Sequence, residues 1–165
     1  MLLARPITAG LSCFGPRAAL ALAPSPIPIV AVEQMLGRGD LPGARARLDS
    51  LERGRRMFRP GEYALDYTVA EAWMHAALGD SVAAERQLDL TLTALPTLSP
   101  HVVYEPGMSA AVGRSMVLRA QLAAARHDGG TAALWAGRVL TLWAHADPSL
   151  SPTLSRMRAL AAHRP

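Results

Sequence analysis

The stretch HAALGDSVAAERQLDLTLTALP, His75 to Pro96, decides how this chain is read. Gly79 has no Cβ and can take the left-handed backbone that ends a helix. Asp80 follows it and can accept hydrogen bonds from the free amides that start the next helix. Ala84, four residues past Asp80, is small where two helices of a hairpin must approach, and Leu88 is large and apolar one turn later. The same device stands twice more. Gly39-Asp40 precedes Ala44 and Leu48 in LGRGDLPGARARLDSL, and His127-Asp128 precedes Ala132 and Ala136 in ARHDGGTAALWAGRVL. Three such turns predict three helical hairpins, and breaks this short leave the flanking helices antiparallel.

Working outward, apolar residues at steps of three and four predict helices over about 29–38, 41–57, 62–78, 81–95, 109–126 and 131–146. Asp40 caps the second, with Pro42 tolerated in its first turn. Leu65, Val69, Ala72, Trp73 and Ala76 form the stripe of the third, and Ala84, Leu88 and Leu92 that of the fourth. LPTLSPHVVYEPG reads as a long turn. Ala136, Val139, Leu140 and Trp143 mark the sixth helix, which Pro148 closes. A seventh helix, at about 151–163, has Ser151 as N-cap and Pro152 at its first position, and Leu154, Met157 and Leu160 cover an open end. The expected fold class is all-α: stacked antiparallel helical hairpins, about seven helices in all. Its hairpins fall at about 29–57, 62–95 and 109–146, after a poorly structured segment or linker at 1–28. In that segment the prolines of PSPIP forbid a helix.

These residues resemble the tetratricopeptide repeat family. In the second hairpin Ala72 stands at the family's first small position, Ala84 at the second, Leu88 at the large apolar one and Pro96 at the closing proline. The first hairpin departs with Val32 at the first small position and Arg56 in place of proline. The third keeps Ala120 and Ala132, but has Ala136 at the large position and Ala144 at the proline position. The three aspartates are 40 and 48 residues apart, against a family period of about 34. The resemblance covers 29–146 and implies an α-solenoid whose first helices line a concave groove. The groove positions it carries over are Glu33, Asp66 and Trp73, Arg114 and Gln121. It implies a non-enzymatic scaffold that binds a protein or peptide there, with no cofactor. RPGEYALDYTVAEAWMHAALGD and the hairpins around it are also similar to the helical-repeat tails that follow kinase or regulatory domains in some bacterial proteins. That likeness implies a detached regulatory segment as the alternative, and the chain carries none of the kinase signature residues.

Composition narrows the rest. Half the residues are hydrophobic and 18% are charged, with Ala and Leu dominant and aromatics sparse, which favours helix and a buried core. The formal charge of +4 rests on seventeen arginines and no lysine. Six of these arginines lie between Arg45 and Arg59. That cluster could meet phosphates, but no aromatic platform accompanies it, so nucleic acid is an unlikely partner on sequence grounds. Cys13 is alone, so no intrachain disulfide can form. No apolar run reaches the ~18 residues of a membrane span. The first residues loosely resemble a signal peptide, but Pro6, Gly10, Gly15 and Pro16 cut the apolar run, which leaves a cytoplasmic reading ahead of a secreted one. Glu71 and His75, four apart, read as a surface ion pair because a metal site would need a third ligand. Trp73, Trp135 and Trp143 lie in apolar stripes and read as core fillers, with Trp73 alone doubling as a groove residue. Arg38-Gly39-Asp40 matches an adhesion tripeptide, but Asp40 already has a role as a cap.

Overall fold

A computed structural model describes residues 28–55, 65–97, 104 and 106–162, with the side chains of 55, 65–67 and 106 excluded. Among these the chain is all-helical. The α-helices are α1 (Pro28–Gly37), α2 (Leu41–Arg55), α3 (Leu65–Ala77), α4 (Ser81–Ala94), α5 (Pro106–Ala125), α6 (Gly129–Leu142) and α7 (Ser151–Ala162). Short 3-10 turns occupy Leu95–Thr97 and Pro148–Leu150. No described helix is long and apolar enough to cross a membrane. The segment at 1–27, Arg56 and the stretch at 98–103 lie outside the described residues.

All three turns share one geometry, and it follows from their sequence. Gly39, Gly79 and His127 have φ of 79°, 80° and 62°. This left-handed residue lets the aspartate amide reach back to the carbonyl five residues earlier: Asp40 to Met35, Asp80 to His75 and Asp128 to Ala123, at 2.9–3.0 Å. Each aspartate then turns its side chain forward onto the amide three residues on, at Gly43, Ala83 and Thr131. One helix's stray carbonyls and the next helix's stray amides are therefore satisfied within three residues. His127 is the one turn residue with a Cβ, and αL costs such a residue about 1–2 kcal/mol. His127→Gly should therefore raise the unfolding free energy by about 1 kcal/mol, and Gly79→Ala should lower it by a similar amount. Denaturant midpoints of the two variants, shifted in opposite directions, are the check.

The chain forms two compact units that divide between Ala111 and Val112, within α5. In the first, α1 packs on α2, α3 packs on α4, and α1 also lies against α3. Its core joins Ile29, Val30 and Val32 of α1 to Ala44 and Leu48 of α2 and to Ala70 and Met74 of α3. In the second, Ala120 of α5, Ala136 and Val139 of α6 and Met157 of α7 are fully buried together, flanked by Trp135, Trp143 and Leu160. Ala44, Ala84 and Ala132, the alanines four residues past each aspartate, are all buried, as the close-approach argument requires.

Several boundaries differ from expectation for local reasons. Helix α5 starts at Pro106, not near 109, because proline's fixed φ and missing N–H suit a first helical position. Helix α6 starts on Gly129-Gly130, since the Asp128 cap overrides the poor propensity of two glycines, and it stops at Leu142, four residues short of the expected end. Asp147, not Ser151, caps the last segment, with its carboxylate on the Ser149 amide at 2.8 Å.

Two glycines inside helices separate propensity from packing. At Gly113 of α5 a Cβ would come within 2.4 Å of the Trp143 ring, whereas at Gly137 of α6 it would meet nothing within 4 Å. Alanine should thus stabilise at 137 by roughly 0.5–1 kcal/mol. At 113 the same change forces the indole aside and should destabilise by about 1–3 kcal/mol. Equal shifts at both positions would mean that Trp143 does not depend on the space that Gly113 leaves.

Candidate partner-binding face

Helices α1 and α3 are the first helices of the first two hairpins, and they lie against each other. Trp73 is half-buried on α3, packed against the core that both helices share. Glu33, on α1, is 2% exposed. Its neighbour Gln34 is buried as well, so this part of α1 is polar but enclosed. The Asp66 side chain lies outside the described residues. Arg114 and Gln121 stand on α5 in the second unit, seven residues apart and both half-buried. Of the five groove residues, the structure therefore brings Glu33 and Trp73 onto neighbouring helices of one unit, and Arg114 and Gln121 onto one helix of the other.

The expected surface ion pair between Glu71 and His75 is corrected. Both are buried, at 1% and 5% exposure, and they turn to different neighbours. His75 Nε2 lies 2.6 Å from Glu52 Oε1 on α2, while Gln87 Nε2 of α4 donates to Glu71 Oε2 at 2.9 Å. Helix α3 is covered on more than one side, so its polar residues become links between helices. A second link starts on the same helix as Glu52. The Arg45 guanidinium donates to the Leu78 carbonyl at 3.0 Å and lies 3.8 Å from the Asp80 carboxylate. Arg45, Leu48 and Glu52 are spaced three and four apart, which puts them on one face of α2. The second helix of the first hairpin thus holds the second hairpin with a cation, an apolar side chain and a carboxylate in succession. The i, i+3, i+7 pattern was present in the sequence, but nothing local in it pointed to α3.

Among the described residues no three His, Cys, Asp or Glu side chains are grouped to hold a metal. Titration is perturbed at two exposed caps. The Thr131 backbone amide, followed by the Thr131 side chain, holds the Asp128 carboxyl below its ordinary value of 3.8, with weaker help from Arg119 and Arg126. The Ser149 amide and side chain do the same for Asp147. A carboxyl lowered in the folded state contributes stability above its unfolded pKa and loses it as pH falls through the folded value. These two are the only side-chain carboxylates in residues 112–165. Amide exchange of α6 and α7 should therefore accelerate as pH falls below about 4. Asp128→Asn with Asp147→Asn, which keeps the cap oxygens but removes the titration, should flatten that dependence.

No family model, no curated protein and no solved structure matches the chain.

Proposed function

We propose that this protein is a non-enzymatic scaffold that binds another protein, in the form of an extended peptide or a helix, on the face formed by its first helices. The observation that carries the reading is the contact of α1 with α3, the first helices of successive hairpins, while α2 reaches the second hairpin through the side chains of Arg45, Leu48 and Glu52. Side-by-side first helices are what the tetratricopeptide resemblance implies for a binding groove. The thrice-repeated cap and buried alanine support the same reading, because a repeated unit is how such arrays present a continuous surface. Trp73 is the anchor: an aromatic ring fixed by core contacts on one side gives contact area at little entropic cost. Asp66, on the same helix as Trp73, supplies polar choice within the first unit, and Arg114 and Gln121 are the corresponding candidates on α5 in the second unit, taken by itself.

Selection of a displayed random-peptide library on the full chain tests this. Enriched peptides should bind Trp73→Phe and Asp66→Arg variants at least about tenfold more weakly, with circular dichroism unchanged. Enriched peptides that bind both variants as well as the parent would remove the first-helix face from the reading.

A further inference from the structure

The second unit carries the chain's positive charge. Residues 112–165 hold seven arginines against two aspartates, while residues 1–111 hold ten against eleven acidic residues. Both aspartates of the second unit are occupied as caps, Asp128 on the Thr131 amide and Asp147 on the Ser149 amide. Helix α6 itself has no acidic residue.

Its outward face is apolar at both ends and cationic in the middle. Leu134 and Leu142 are 51% and 50% exposed. Arg138 stands midway between them, exposed, with its guanidinium 4.3 Å from the centroid of the half-buried Trp135 ring. Leu134, Arg138 and Leu142 are spaced by four, so they form one stripe along roughly 12 Å of helix. Gly137 and Thr141 complete the same face, and the space beside Gly137 is open. The stacked guanidinium is held in place and keeps its donors outward, which suits it to a carboxylate. Helix α4 shows the contrast. Its exposed Val82 and Leu90 flank Arg86 at the same spacing, but Glu85 and Asp89 sit beside that arginine and cancel its charge locally.

We propose that the outer face of α6 docks an acidic amphipathic helix of another protein, whose apolar side chains cover Leu134 and Leu142 and whose carboxylates meet Arg138. Charge complementarity selects this occupant. A nucleic acid would not bury two leucines, and a lipid surface would need several cations on this face where there is one. The gap at Gly137 lets a helix backbone come close. This surface lies on a second helix of a hairpin, so it is independent of the first-helix face proposed above.

The test uses the full chain and two labelled synthetic helical peptides. One carries a leucine stripe flanked by glutamates, and the other has every glutamate replaced by lysine. Fluorescence anisotropy should show saturable binding of the glutamate peptide and none of the lysine peptide. Arg138→Glu should weaken binding about tenfold or more, and Leu134→Ser with Leu142→Ser should do likewise. Gly137→Gln, which enters open space and leaves the fold intact, should weaken it by filling the gap. Absent binding, equal binding of the two peptides, or affinity unmoved by the three variants overturns the proposal. Preferential binding to phosphatidylserine vesicles or to duplex DNA, lost with Arg138→Glu, also overturns it in favour of that surface.

Discussion

Leu48→Ala is expected to cost the first unit about 2–5 kcal/mol, the range for a large aliphatic side chain removed from a closed core. Amides of α2 and of the helices around it should exchange at least about thirtyfold faster under native conditions. Leu48 has no exposed surface and belongs to a cluster made only of Ile29, Val30, Val32, Ala44, Ala70 and Met74 among fully buried residues. The only aromatic among the hydrophobic residues given for that cluster is Trp73, which is partly buried and packs against it from outside the fully buried set. Two of its members are alanines, which cannot reach into the space. Met74 is the flexible member of the buried set, and its adjustment, with that of the partly buried Met35, Leu36 and Leu51 packed against the cluster, sets where in the range the loss falls. Leu41→Ala on the same helix removes a side chain that is already half exposed, so its exchange rates should stay near those of the parent. Similar losses at 41 and 48 would mean that α2 does not present one inward face.

This contrast also marks what was legible in the sequence. The turns were legible because everything that forms them lies within eight residues: a residue able to enter αL, an aspartate, and an amide three positions on. Ala44, Ala84 and Ala132 follow from the turns by counting. The helix ends at Pro106, Gly129 and Leu142 were read less well; at Gly129 propensity and capping oppose each other, and the Asp128 cap prevails. The second unit's core was read only in part. Met157 was read with Leu154 and Leu160 as covering an open end, and it is fully buried against Ala120, Ala136 and Val139, three residues the turns did not single out together.

The candidate site was less legible than the fold. A helix with one covered side and a helix with two have the same apolar period, and polar residues between the apolar ones look solvated in either case. That is why Glu71 and His75 read as a surface pair, although α3 lies between α1 and α4 and has α2 within reach of His75. Glu33 misled in the same way. Family register assigns it to an open groove, but burial depends on the residues that pack over it, and these are far away in the sequence. The α6 stripe was missed for the opposite reason. The apolar period picked out Ala136, Val139, Leu140 and Trp143 and left Leu134 and Leu142 unread, whereas the structure puts Ala132, Ala136 and Val139 inside and the two leucines outside.

Glu52 and His75 provide the strongest expected test of how the first two hairpins are held together. The imidazole is buried, and its Nε2 donates to a carboxylate that is only 19% exposed, at 2.6 Å. Nδ1 is buried with no hydrogen-bond partner among the described residues, so the contact with Glu52 is the polar support that the ring has. Glu52→Ala should therefore cost about 2–3 kcal/mol, because a buried donor then loses a charged acceptor and gains no water in exchange. His75→Ala should cost as much or more, since it also leaves a cavity beside Met74. Once either partner is absent, removing the other no longer forfeits the contact between them. The double variant should thus fall short of the sum of the singles by about 1–3 kcal/mol. Arg45→Ala, which breaks the tie to the Leu78 carbonyl and to Asp80 but involves mostly exposed groups, should cost well under half of either single change. If instead the singles are additive, Glu52 and His75 act separately, and the hold of α2 on the second hairpin rests on Leu48 and its apolar neighbours and on the Arg45 tie.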